Sequence, residues 1–162
     1  MQVRTHPLIL ALPVLLAASP APAIEVQRHI DVSAPAEEVW SLVGDFCSIE
    51  QWHPEVTGCE LEEDDATTFR TLRTADGSTI REQLLDHDAA IRFYSYSLVE
   101  SPWPVTGLVS EFQLAPGAVG ENVIVWQAQY STLAVDKDAA EKSLGAFYRN
   151  GLEGIAGMFT DE

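Results

Sequence analysis

The sequence predicts an α+β fold in which a seven-stranded, curved antiparallel sheet wraps around one long C-terminal helix, with two short helices after the first strand. Three observations carry this. An alternating apolar segment runs directly into a helix opened by proline. Six further extended runs follow, separated by turn residues. The chain then closes on a long stretch with apolar residues at helical spacing.

The first strand is predicted over residues 25–32, where Val26, Arg28, Ile30 and Val32 alternate with Glu25, Gln27, His29 and Asp31. That is the period of a strand with one buried face. Pro35 suits a first helical turn, whose N–H is unsatisfied in any case. Glu37 and Glu38 complement the positive end of the helix dipole, and Gly44 ends the helix. Val39, Trp40, Leu42 and Val43 supply the inward face. A second short helix is predicted over 48–52, because Pro54 pushes His53 out of helical geometry.

From Val56 the pattern turns extended. Strands are predicted over 56–62 and 67–74, flanking an acidic turn at Asp64-Asp65. The hairpin signal Ala75-Asp76-Gly77-Ser78 leads to a strand over 79–86. Strands over 90–99, 108–114 and 122–132 complete the set, separated by Ser101-Pro102-Trp103-Pro104 and by residues 116–120.

The final helix is predicted over 136–159, with Leu144, Tyr148, Leu152, Ile155 and Phe159 as one stripe. Gly151 and Gly154 lie beside it, each costing about 1 kcal/mol of helix propensity relative to alanine. Either they let the helix approach the sheet closely, or they leave room for a ligand. One antiparallel sheet has one apolar face to cover, and only this helix is long enough to cover it. A curved sheet around a helix tends to enclose space, so cavity binding follows without any catalytic residue.

Residues 1–23 read as a secretory signal peptide: Arg4, an apolar run over 8–18, and Ala21-Pro22-Ala23 before the cut. The run is shorter than the roughly 20 residues that span a bilayer, and the alternative is that it is retained as an uncleaved anchor. Residues 24–162 form a single domain, expected in the periplasm or secreted. They carry eight Lys and Arg against 25 Asp and Glu, a formal charge of −17. Such a field repels nucleic acid and anionic lipid, and would attract a basic periplasmic protein. The acids concentrate in Glu60-Leu61-Glu62-Glu63-Asp64-Asp65. In an oxidising compartment Cys47 and Cys59 are expected to be bridged, closing a loop worth roughly 3 kcal/mol. The alternative is a buried Cys59 and a loop thiol at Cys47.

No phosphate-binding glycine loop, Cys-x-x-Cys, His-Glu-x-x-His or nucleophile elbow is present. The sequence therefore implies no cofactor or metal, and no residue is assigned as catalytic. His29 and Asp31 share a strand face, but spacing places no third ligand beside them. His53 is either a general base beside a pocket or a residue that fixes its loop or lies at the surface. Glu82 is either a buried acid with Tyr94, Tyr96 or Tyr130 as partners, or an outer-face partner of Arg81 or Arg92. Burial would raise its pKa.

Several segments together resemble the START-like, helix-grip superfamily (SRPBCC), of the polyketide cyclase/dehydrase and lipid transport type. They are Val39-Trp40, Gly44-Asp45-Phe46, Trp52-His53-Pro54, Cys59, Arg81-Glu82-Gln83-Leu84, Asp86, Tyr94-Ser95-Tyr96 and Glu100-Ser101-Pro102-Trp103-Pro104-Val105. The set is most similar to the abscisic-acid-receptor-like branch, and within it to the periplasmic accessory protein of methanol oxidation, MxaD, and its relatives. The resemblance implies an exported, non-enzymatic protein holding a small hydrophobic or amphipathic ligand between sheet and helix. Its alternatives are an accessory protein of a periplasmic redox system and a polyketide cyclase/aromatase-like enzyme. Plant receptors place a ligand-pairing lysine where this chain has Thr57, so the resemblance implies no anchor for an acid, while their strand-four glutamate matches Glu82. The expected ligand-binding set is Trp52, Glu82, Tyr94, Tyr96, Trp103, Tyr148 and Leu152, around an opening capped by residues 101–107.

Overall fold

All seven strands pair antiparallel in the order β1-β7-β6-β5-β4-β3-β2. The computed structural model describes residues 23–118 and 120–160, so the predicted leader lies outside the described residues except for Ala23. β1 (Ile24–Val32) forms one edge. α1 (Ala36–Val43) and α2 (Ile49–Trp52) then carry the chain to β2 (Val56–Asp64) at the opposite edge. From there β3 (Thr67–Thr74), β4 (Thr79–Asp88), β5 (Phe93–Glu100), β6 (Thr106–Pro116) and β7 (Asn122–Ser131) return as a meander to β1. A 3₁₀ turn, Ala134–Asp136, leads into α3 (Lys137–Gly157).

β2 and β4 each run two residues beyond the sequence expectation, and β6 two residues beyond it at both ends. Two other boundaries shift for local backbone reasons. β5 starts at Phe93 rather than residue 90, because Arg92 takes φ 54° and reverses the chain. α3 ends at Gly157, where the Met158 N–H turns back onto the Ile155 and Ala156 carbonyls. Register shifts near Val56/Gly58, Arg81/Glu82, Leu84/Asp86 and Thr106/Val109 bend the strands. The resulting concave face wraps the helix.

That face supplies Val26, Val32, Leu72, Ile80, Leu108, Phe112 and Ile124, which form one buried cluster with Leu144, Tyr148, Leu152 and Ile155 of α3. The glycine question resolves as close approach. A Cβ at Gly151 would sit 2.6 Å from His53 Cδ2, and one at Gly154 would collide with the Trp52 carbonyl oxygen. α3 therefore rests directly on the α2–β2 connection.

Cys47 and Cys59 form a disulfide with Cα atoms 5.6 Å apart, tying the turn after α1 to β2. The acidic run is partly neutralised from within, since Arg73 pairs with Glu60 at 2.8 Å and Arg81 with Glu62 at 2.7 Å. No helix among the described residues is long and apolar enough to cross a membrane.

The helix contact gives a direct test. Gly154→Ala should lower stability by about 1–3 kcal/mol through overpacking, against the gain in helix propensity. Gly157→Ala, with nothing within 4 Å of its added Cβ, should be neutral or stabilising. Urea unfolding of both variants checks this. Equal effects would mean that α3 is not seated on the Trp52 carbonyl.

Candidate functional site

Among the described residues, the interior between sheet and α3 is filled by aromatic rings that stack on one another, with no open cavity between them. Trp126 of β7 lies flat on Tyr148 of α3, with centroids 4.3 Å apart and planes 6° from parallel. Tyr94 and Phe112, on β5 and β6, stack in the same way at 5.0 Å. Trp52 meets Trp126 edge-on at 5.8 Å. Period-2 strands place these rings on one face, and the helical stripe places Tyr148 opposite them.

A polar thread runs through this wall. The Trp126 indole N–H donates to Tyr96 Oη at 2.9 Å and Ser110 Oγ at 3.2 Å. Ser110 donates to the Gln127 carbonyl at 2.8 Å, which leaves the Tyr148 hydroxyl, 3.0 Å away, to donate to Ser110. Burial pushes the Tyr94, Tyr96 and Tyr148 phenols well above their ordinary value, so they stay neutral.

The charged centre is Arg70 of β3 with Glu82 of β4, directly opposite each other in register. Arg70 Nε donates to Glu82 Oε2 at 2.6 Å, and both residues are at most 2% exposed. Arg70 Nη1 donates to the Phe46 carbonyl, and the guanidinium lies 4.1 Å from the Phe46 ring centroid and 5.0 Å from that of Tyr96. Its Nη2 has no hydrogen-bond partner among the described residues. Burial pushes the Glu82 carboxyl above its usual range, and the guanidinium opposes that shift.

Glu82 is thus the buried acid of the first alternative, but with a partner the sequence reading missed. Arg81 pairs with Glu62 instead, Arg92 occupies a turn, and the Tyr130 hydroxyl has no hydrogen-bond partner among the described residues. The signal for Arg70 was present. A hairpin closed between Thr74 and Ser78 sets residue 70 against residue 82. Thr57 is exposed and donates to the Arg73 carbonyl at 3.2 Å, so the interior cation comes from β3 and not from that position.

His53 is a fixture. Its Nδ1 accepts the Glu55 N–H at 3.1 Å, which puts the proton on Nε2, and Nε2 donates to the Phe147 carbonyl at 3.0 Å. The ring also stacks on Phe147 at 4.0 Å. Burial lowers its pKa to about 4. His29 and Asp31 lie exposed on β1, and no group of three metal-ligating side chains forms among the described residues.

Trp103, in the loop between β5 and β6, stands at the rim. It meets Phe147 edge-on at 5.1 Å, and the Thr132 hydroxyl donates to the Pro104 carbonyl beside it. An open cleft of about 360 Å³ lies between this loop, the β3–β4 turn and α3, with Ile80, Trp103 and Phe147 in its walls. Of the seven residues in the expected ligand-binding set, Trp103 lines this cleft. Trp52, Glu82, Tyr94, Tyr96, Tyr148 and Leu152 lie deeper, each at most 3% exposed.

The family profile described as polyketide cyclase / dehydrase and lipid transport matches residues 23–158. The chain belongs to this family. Its helix-grip architecture recurs in solved structures. A Bacillus thuringiensis protein is 28% identical, with a TM-score of 0.78, over 85% of this chain and 100% of its own. The Bacillus cereus protein XoxI is also 28% identical, with a TM-score of 0.78, over 85% of this chain and 96% of its own. The Zhui aromatase/cyclase from a Streptomyces species shares the fold at 21% identity and a TM-score of 0.67, over 85% and 93% of the two chains. No curated protein matches the chain.

The His53 clamp predicts a pH response. The folded state favours neutral imidazole, so its stabilisation is complete above the unfolded pKa of roughly 6.5. It is lost as pH falls from there toward about 4, where the folded ring protonates. Urea unfolding from pH 7.5 to 4 should show a fall of a few kcal/mol in the native protein that is absent from the pH dependence of His53→Gln. Parallel curves for the two proteins would contradict the buried neutral ring.

Proposed function

We propose that the protein is an exported, non-enzymatic binding protein that holds one small hydrophobic or amphipathic ligand between sheet and C-terminal helix. One observation carries this reading: Arg70 is 1% exposed, and its Nη2 has no partner within hydrogen-bond distance among the described residues, the Tyr94 phenol being a polar neighbour of the guanidinium. A buried donor left unpaired costs about 1–3 kcal/mol, and more when charged. A ligand oxygen placed against Nη2 recovers that energy. Because Glu82 already balances the charge, a neutral carbonyl or hydroxyl suits the position better than a carboxylate.

The rim cleft is the way in. Ile80 lines it, and Glu82 lies on the same face of β4 two residues further along, ~7 Å deeper by strand geometry. Uptake requires Trp103 and Phe147 to part and the inner stacks to rearrange. Family membership supports the binding role. The leader composition and the Cys47–Cys59 bridge support export.

The finer likeness, to the abscisic-acid-receptor-like branch and MxaD, adds a second reading in which a basic periplasmic partner meets the acidic face. The exposed residues Glu63, Asp64 and Asp65 favour it, lying where β2 turns into β3 at the sheet edge. Association with a basic cytochrome that is indifferent to salt would remove that reading.

The binding role is tested with Prodan, a fluorescent naphthyl ketone, and N-phenyl-1-naphthylamine, an apolar fluorophore without a carbonyl. Replacing the ion pair by Arg70→Met with Glu82→Leu leaves no lone buried charge. It should weaken Prodan binding about tenfold and spare the amine. Trp103→Ala should weaken both while leaving unfolding nearly unchanged. Unaltered Prodan affinity in the double variant would overturn the assigned role of Arg70.

A further inference from the structure

The rim cleft has a chemical bias of its own. Its walls include Ile80, Pro102, Trp103, Ala146 and Phe147, and the charged residues lining it are Glu55 and Asp76. Neither carboxylate is ion-paired among the described residues, where the paired acids are Glu60, Glu62 and Glu82. Each has an oxygen engaged by neutral donors. Asp76 Oδ1 accepts the Thr74 hydroxyl at 2.6 Å and the Ser78 N–H at 2.9 Å. Glu55 Oε1 accepts the Asn150 amide at 2.5 Å.

These bonds fix the two carboxylates at one mouth. The Ala75 N–H donates to the Glu55 carbonyl at 2.9 Å, which holds the β3–β4 turn beside β2. The hydrogen bonds from Thr74 and Ser78 also keep the Asp76 carboxyl below its ordinary pKa, so it is charged at neutral pH. Trp103 adds an aromatic face, which attracts cations through its ring quadrupole. An anionic headgroup would meet like charge at this mouth.

We infer that the mouth of the site selects cationic amphiphiles, seating an amine or quaternary ammonium group between Trp103, Glu55 and Asp76 with its apolar tail directed inward past Ile80. The cleft, about 360 Å³, is near the small end of pockets that hold ligands, so it takes a headgroup and the first part of a tail. The inference rests on the binding role proposed above, because the remaining tail needs the interior.

Calorimetry with octyltrimethylammonium, octanol and octyl sulfate, all below micelle formation, tests it. The cation should bind at least tenfold more tightly than the sulfate; octanol, whose hydroxyl can reach Arg70 Nη2, is the uncharged control for binding itself. Glu55→Gln with Asp76→Asn keeps oxygen acceptors at both positions and should shrink that ratio to within threefold. Glu63→Gln with Asp64→Asn removes the same charge from a remote turn and should leave the ratio nearly unchanged. If the remote pair shrinks it equally, the preference belongs to the general negative field and the inference is wrong. If octanol binds but headgroup charge makes no difference, the inference fails while the binding role stands. If neither octanol nor Prodan binds, both fail.

Discussion

The Arg70–Glu82 pair joins separately built segments into one concave wall. Arg70 reaches across from β3 to β4 through Glu82, and back to the turn after α1 through the Phe46 carbonyl and ring. That turn is held a second time by the Cys47–Cys59 bridge to β2. Taking two charges out of water costs several kcal/mol per ion even after relaxation, and apolar replacements of such pairs are often no less stable. Stability alone is therefore a weak reason for a guanidinium in this position. What the pair provides is a fixed donor direction inside an aromatic wall whose phenols stay neutral.

The elements were legible because each rests on a local rule. Alternation marked β1, Pro35 and Gly44 marked the ends of α1, and the turn at 75–78 marked the β3–β4 hairpin. The Leu144–Tyr148–Leu152–Ile155 stripe faces the sheet as its spacing requires. Arg70 was not legible in the same way, because a charged residue in a strand reads as solvent-facing until its partner is known. Only the register of the hairpin brings Glu82 opposite it. The acidic run was legible as composition but not in its pairing. It reads as a block of free charge, yet Glu60 and Glu62 are met by arginines of β3 and β4.

Whether a curved sheet and its helix enclose space also depends on what the side chains do there. Periodicity places Tyr94, Phe112, Trp126 and Tyr148 inward but does not reveal that they stack on each other. The same rings that would contact a ligand fill the interior when closed. In the proposed binding role, ring–ring contacts are exchanged for ring–ligand contacts, and Arg70 Nη2 gains the hydrogen bond it lacks among the described residues.

Rim and centre divide the work. Trp103 and Phe147 close the mouth by one edge-to-face contact, while His53 anchors the opposite side of Phe147 through its backbone and ring. Opening can therefore be confined to the loop carrying Trp103, with α3 staying seated. The most direct measurement is an NMR titration of protein labelled with ¹⁵N-arginine, following the Arg70 guanidinium as Prodan is added. The account predicts that the Arg70 side-chain resonances shift and saturate with the dissociation constant read from Prodan fluorescence, while those of Arg73 and Arg81 stay in place. Saturable fluorescence with an unmoved Arg70 would contradict it.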